Sequence, residues 1–201
     1  MDELLKQYFL PSSLSKYEKL HIVDQNGQSK ILGVHFLEYS SSFATNVNFD
    51  ALYVNHGFGA SSLSWLPAIP SLTRQLKAKV CLGHDAVGLG FTERPEKDLK
   101  WFSTKGSATI GTNLLIKKSA STPPKSVALF GHSMGSLTTL KMALQLPKET
   151  TKLIVLCAPA LGLQLSSPKN KKKRWWHPIG STIRKGLVYP IITYSLRRVV
   201  G

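Results

Sequence analysis

The chain has 201 residues, 42% hydrophobic and 18% charged, enough for one domain with a buried core; this excludes disordered, collagen-like and mucin-like classes. Its two cysteines are too few for a disulfide-stapled scaffold, and neither has a second Cys or a His at zinc-ligand spacing, so no metal is expected. The net charge of +15 is uneven: residues 1–133 carry 14 basic and 10 acidic side chains, whereas residues 134–201 carry 12 basic side chains and one acid, Glu149.

Met1-Asp2-Glu3 opens with acid where a targeting peptide carries Lys or Arg. Leu4, Leu5, Tyr8 and Phe9 fall on one helical face ended by Pro11, so residues 1–17 read as a helical extension. The cytoplasm is the default address, with an organelle left open if the N-terminus is incomplete. No apolar stretch reaches the ~18 residues of a membrane span.

Glu18 to Asp24 and Ile31 to Ser40 are extended stretches joined by Gln25-Asn26-Gly27-Gln28. Asn-Gly predicts a tight hairpin turn with positive φ at both central positions. Residues 41–50 read as loop. Ala51 to Val54 is a short apolar strand that breaks into Asn55-His56-Gly57-Phe58-Gly59. A helical pattern over Ser62 to Leu76 is kinked or split by Pro67 and Pro70.

Lys79 to Gly83 is another buried strand, running into His84-Asp85 and a loop to Pro95 with glycines at 88 and 90. A helix over Gly106 to Lys118 follows, then the strand Ser126 to Phe130, the helix Ser136 to Leu146 and the strand Leu153 to Cys157. Short apolar strands alternating with helices predict parallel βαβ units with both sheet faces covered, hence an α/β fold of three α/β/α layers. Cys81 and Cys157 read as reduced residues of buried strands. Trp65 and Trp101 read as packing or pocket-mouth residues, and His21 and His35 as hairpin residues remote from any motif.

Gly131-His132-Ser133-Met134-Gly135 matches G-x-S-x-G between an apolar strand and a helix. A serine on so sharp a turn has strained backbone angles, and the flanking glycines let chain segments pass closely. The same residues also fit a glycine-rich turn in which Ser133 merely caps the following helix. His56-Gly57-Phe58-Gly59, after the 51–54 strand, can turn a backbone N–H toward the serine. With the Met134 N–H it would form a two-donor oxyanion hole, each donor worth roughly 3 to 4 kcal/mol in the transition state.

These motifs, with His84-Asp85-x-x-Gly88-x-Gly90-x-Thr92-x-Arg94-Pro95 between them and Val155-Leu156-Cys157-Ala158-Pro159-Ala160 after them, resemble the α/β-hydrolase superfamily. The resemblance is to its lipase, esterase and epoxide-hydrolase-like branch. It covers roughly residues 18–163, up to the start of a lid, and leaves 164–201 as a basic lid-like segment. It implies that Ser133 is the nucleophile, that Phe58 and Met134 supply the oxyanion N–H groups, and that His56 and Gly57 shape the oxyanion loop. Gly59, Gly131, His132 and Gly135 would support loop and elbow, and Asp85 would fix its own loop without being the triad acid. No cofactor is implied.

The family's triad acid and histidine both follow the serine in the chain. After Ser133 there remain Glu149 and His177, neither placed for hydrogen-bond reach of about 3 Å. The expectation is a serine hydrolase acting on an ester, thioester or lipid-like carbonyl, truncated at its C-terminal end and weakly active or inactive, with Leu153 to Leu156 as an unplanned sheet edge. The alternative is a non-catalytic α/β-hydrolase-like protein that binds ligands or membrane surfaces. The basic run Lys169 to Arg174 and Trp175-Trp176 read as a solvated lid start, as a peripheral membrane contact through 169–201, or as a basic nucleic-acid patch. Nothing upstream supports the last, so no nucleic-acid partner is expected.

Overall fold

Side-chain alternation along the strands builds two apolar faces. Ala51 and Tyr53, Val80 and Leu82, and Val127 and Leu129 point into one cluster. Leu52 and Val54, Cys81, and Ala128 and Phe130 point into another. Strand residues at period two reach opposite sides of a sheet, and here both sides are dry. In this computed structural model, which describes residues 14–41, 46–96, 98–119 and 123–160, six strands form one sheet.

The strands are β1 (Ser15–Val23), β2 (Ser29–Ser40), β3 (Phe49–Asn55), β4 (Ala78–His84), β5 (Val127–His132) and β6 (Thr151–Cys157), in the spatial order β1-β2-β4-β3-β5-β6. β2 is antiparallel to β1 and β4, and the remaining pairings are parallel. The predicted βαβ succession is therefore preceded by an antiparallel hairpin. The helix α1 (Ile69–Gln75) contributes to the second cluster, whereas α2 (Thr104–Lys118) and α3 (Met134–Gln145) contribute to the first. Helices thus cover both faces, giving the three layers the apolar strands demand.

The helical pattern is split at its prolines as expected, whereas the tight-turn expectation is corrected. The 62–76 pattern splits into a 3₁₀ turn at Ser62–Trp65 and α1, with Pro70 near the α1 start where a missing N–H costs nothing. The β1–β2 loop is not a two-residue turn. Gly27 has φ +76° but Asn26 is not left-handed. The Asp24 N–H donates to Gln28 O at 2.9 Å, and Asp24 Oδ1 accepts the Asn26 and Gln28 N–H groups at 2.9 and 3.0 Å. The aspartate side chain organises the loop, which shortens the demand for positive φ to one residue.

The N-terminal extension expected over 1–17 is already paired from Ser15 as part of β1. Residues 1–13, the lid-like segment from 164 onward, His177 and the basic run lie outside the described residues. Trp101 is buried, its indole N–H donating to Asp98 Oδ2 at 2.7 Å. Cys81 is buried as expected, and burial pushes its thiol up to about 12. Cys157 is only half-buried, because β6 pairs with β5 alone among the described residues. No helix among the described residues is long and apolar enough to cross a membrane.

Strand order decides where chemistry can occur. β4, reached through α1, lies on one side of β3, whereas β5, reached through α2, lies on the other. The loops leaving the carboxyl ends of β3 and β5 therefore meet at the point where the winding reverses, the usual place for a ligand crevice in such sheets.

Candidate active site

The turn after β5 is held in a conformation that few residues adopt. Ser133 has φ +51° and ψ −119°, a left-handed backbone that costs a non-glycine residue roughly 1 to 3 kcal/mol. Three backbone bonds retain it: the Ser133 N–H donates to Cys157 O at 2.9 Å, while Ser133 O accepts the N–H groups of Ser136 at 3.0 Å and Ala160 at 3.3 Å. The Ser136 hydroxyl donates to Gly131 O at 3.0 Å. Ser133 stands at the N-cap of α3 yet makes no capping hydrogen bond with its side chain. It is partly exposed, and its hydroxyl has no hydrogen-bond partner among the described residues.

The two glycines of the motif are there because of close contacts. A Cβ on Gly131 would lie 2.6 Å from Gly135 O and closer still to the Thr139 hydroxyl. One on Gly135 would press into the backbone of Asn55 and His56, 2.7 Å from the Asn55 carbonyl carbon. The second contact seats the elbow directly on the end of β3. Gly57 then faces the serine: its Cβ position lies 3.2 Å from Ser133 Cβ and 3.1 Å from His132 Nδ1. Gly59 has φ +71° and open space around it, so its role is the turn itself.

His56 is a bracket between two loops. Its Nε2 accepts the Ala86 N–H at 3.0 Å and its Nδ1 lies 2.8 Å from Gly57 O. Since Nε2 accepts, the proton sits on Nδ1 and is donated to Gly57 O. Burial lowers the pKa of this imidazole, against the opposing pull of the Gly57 bond, so the neutral tautomer the bracket requires is the favoured one.

Asp85 anchors the adjoining loop and also connects to β2. Its Oδ1 accepts the Ser62 N–H at 2.6 Å and its Oδ2 accepts the Phe91 N–H at 2.8 Å. The His35 ring donates from Nδ1 to Oδ2 at 2.8 Å. Burial alone would raise the Asp85 carboxyl, but the bonds from Ser62 and Phe91 and the His35 ring hold it below its ordinary value. Gly90, at φ +64°, has no room for a Cβ because the Asp85 carboxylate occupies that space. His35, read from the sequence as remote from any motif, is buried and belongs to this network. The signal was its inward position on β2; its partner lies 50 residues away.

Two backbone N–H groups near the elbow are left without an acceptor among the described residues. Met134 is the first residue of α3, so its N–H has no intrahelical acceptor. The Phe58 N–H has no hydrogen bond among the described residues. Both residues line one cavity of about 210 Å³, together with Val87 and Leu89 of the β4 loop and Phe102. The Phe58 ring is 81% exposed, which leaves the mouth apolar.

The acid and histidine that a serine mechanism uses are not hydrogen-bonded to Ser133 among the described residues. Glu149 is exposed, 3.9 Å from Lys152, just before β6. Thr150 O accepts the Val127 N–H at the start of β5, so Glu149 lies a whole strand, roughly 20 Å, from the elbow. Among the described residues no group of three or more His, Cys, Asp or Glu side chains is arranged to hold a metal ion.

The family model for the alpha/beta hydrolase fold matches residues 50–178. The chain belongs to that family. Solved structures of hydrolytic enzymes are similar to it in fold. A probable hydrolytic enzyme from Pseudomonas aeruginosa PAO1 has 21% identity and a TM-score of 0.58, over 85% of this chain and 53% of that one. The epoxide hydrolase CorEH has 19% identity and a TM-score of 0.55, over 86% of this chain and 52% of that one. Epoxide hydrolase VrEH1 from Vigna radiata has 18% identity and a TM-score of 0.53, over 87% of this chain and 47% of that one. The chain spans about half the length of these hydrolase structures. No curated protein matches it.

Proposed function

We propose that this alpha/beta hydrolase chain is a serine hydrolase module whose Ser133 hydroxyl attacks the carbonyl of a small ester or thioester. The Phe58 and Met134 N–H groups receive the charge that develops on the carbonyl oxygen. The observation that carries this reading is the uncapped Ser133 side chain at a strained φ. A serine that served only as a helix cap would bond the first turn and would need no left-handed backbone. Such strain persists where the surroundings over-determine it and is typical of reactive sites. The cavity lined by Met134, the neighbour of Ser133, suits a small substituent, since it is below the volume range of drug-sized ligands.

A second reading, a non-catalytic hydrolase-like binding protein, is favoured by the absence of a hydrogen-bonded base at Ser133 among the described residues. Without a base a serine hydroxyl is a weak nucleophile, and oxyanion donors alone leave only a residual rate. A fluorophosphonate probe separates the two. Labelling of the wild-type chain at Ser133, and none in Ser133→Ala, is the expected outcome. Equal labelling of both, or of neither, sides with the binding protein.

A further inference from the structure

Behind the cavity lies a hydrogen-bonded chain that the elbow and the oxyanion donors do not use. The Tyr53 hydroxyl is 2.8 Å from His84 Nδ1, and His84 Nε2 is 3.0 Å from Ser107 Oγ. All three side chains are buried: Tyr53 0%, His84 1% and Ser107 5% exposed. Ser107, one turn into α2, is also part of the cavity wall. The chain therefore runs from the core of the sheet to the surface on which a substrate would rest.

Its direction follows from counting donors. The Tyr53 hydroxyl has one hydrogen-bond partner among the described residues, and a buried O–H that donates to nothing costs free energy. It therefore donates to His84 Nδ1. Burial raises the Tyr53 hydroxyl well above its ordinary range and, with His56 nearby, pushes the His84 imidazole down to about 3. Both groups are neutral, so His84 carries its proton on Nε2 and donates it to Ser107 Oγ. The Ser107 hydroxyl is an acceptor in this bond, which leaves its own proton for the cavity.

The other hydroxyls on the wall differ. Ser103 Oγ donates to Lys100 O at 2.7 Å and accepts the Gly106 N–H at 3.0 Å. Thr104 Oγ1 accepts from Lys141 Nζ at 2.6 Å and is partly exposed to water. Ser107 is the buried donor with a proton to give, in a wall otherwise made largely of Phe58, Val87, Leu89, Phe102 and Met134.

We propose that Ser107 is a specificity residue: its hydroxyl donates a hydrogen bond to an oxygen on the substrate arm lodged in this cavity, so the site selects oxygen-bearing acyl groups, such as alkoxyacyl or ketoacyl esters, over plain alkyl ones of equal size. This rests on the reading of the cavity as the substrate site. A plain alkyl arm would strand the proton against carbon, and a site built to hydrogen-bond rejects an analogue that lacks the partner.

The test uses the full chain and a matched pair of unreactive ketones, methoxyacetone and 2-pentanone, which differ by one ether oxygen in place of a methylene. Dissociation constants are read from backbone amide shifts, with fluorophosphonate labelling of Ser133 run alongside. Wild type binds methoxyacetone about tenfold more tightly. Ser107→Ala loses or reverses that preference, and Ser107→Thr, which keeps the hydroxyl, retains it. Should Ser107→Ala not fold, Ser107→Cys, a weak donor, lowers the preference in the same direction. Equal binding of the two ketones by wild type, binding of neither, or an unchanged preference in Ser107→Ala overturns the proposal. Labelling without selectivity removes the Ser107 proposal alone. Selectivity without labelling removes the hydrolytic reading and leaves Ser107 as a ligand donor.

Discussion

Two loops meet beside the cavity, and they are held by different forces. The Gly131–Gly135 elbow is a steric object. Its glycines touch Thr139, Asn55 and His56 with no space for a methyl group, and its strained serine is retained by backbone bonds to Cys157, Ser136 and Ala160. The loop after β4 is a polar object. The buried Asp85 carboxylate gathers Ser62, Phe91 and His35, and His84 and His56 bind as neutral rings. A sterically held turn keeps its shape regardless of pH and fails when volume is added. A polar loop tolerates volume at its open positions and fails when a proton arrives or a partner is lost.

The largest expected effect adds volume to the first region. Gly135→Ala forces a Cβ into the Asn55–His56 backbone, which cannot yield as a flexible side chain would. A loss of about 3 kcal/mol is expected in urea unfolding, together with loss of probe labelling. Gly57→Ala meets its neighbours at 3.1 Å or more and is expected to cost less, while still impairing labelling at Ser133.

Next comes removal of a partner in the second region. Asp85→Asn replaces an acceptor of three hydrogen bonds by a group that must also place two donors. About 2 kcal/mol is expected to be lost, again by urea unfolding. If Asp85→Asn proves neutral while Gly135→Ala is severe, the polar account of this loop is wrong.

The pH dependence separates the regions more finely. His84 stays neutral in the folded chain down to about pH 3, whereas its ordinary value is 6.5. The unfolded chain therefore takes up a proton first, and stability declines as pH falls from about 6.5 toward 3. His56, also lowered, adds to the upper part of this window. Asp85, whose carboxyl is held low, contributes stability above the unfolded aspartate value of about 3.9 and loses it only as pH falls through its lower folded value. His84→Gln should flatten the slope between pH 6.5 and 4 in urea unfolding followed at a series of pH values; an unchanged slope would assign the acid sensitivity elsewhere.

The smallest effect has the opposite sign. Ser133→Gly relieves the left-handed backbone and should stabilise the chain by about 1 kcal/mol, while abolishing labelling. That pairing of higher stability with lost reactivity is not expected of a helix cap, whose removal destabilises.

Much of this was legible before folding. The apolar runs named the strands because a sheet covered on both faces leaves no polar alternation to obscure them, and G-x-S-x-G announced its turn because backbone strain demands those residue types locally. The His35–Asp85 pair and the Tyr53–His84–Ser107 chain were not legible. Their members stand 50, 31 and 23 residues apart, and a lone histidine in a strand has the same sequence signature whether it is idle or bonded. The Asn26-Gly27 turn misled because the organising group was the preceding Asp24 side chain, which competes with the turn residues for the same N–H groups.

What the amino-acid order determined by itself was local: which segments extend, which coil, and where a serine must sit on a glycine-flanked bend. What only the tertiary structure decided was company. Inserting β3 between β4 and β5 brings the Phe58 loop, the elbow and the buried His84–Ser107 chain to one cavity. Contacts of a few ångströms between distant segments depend on strand order and register, and no local propensity encodes those distances.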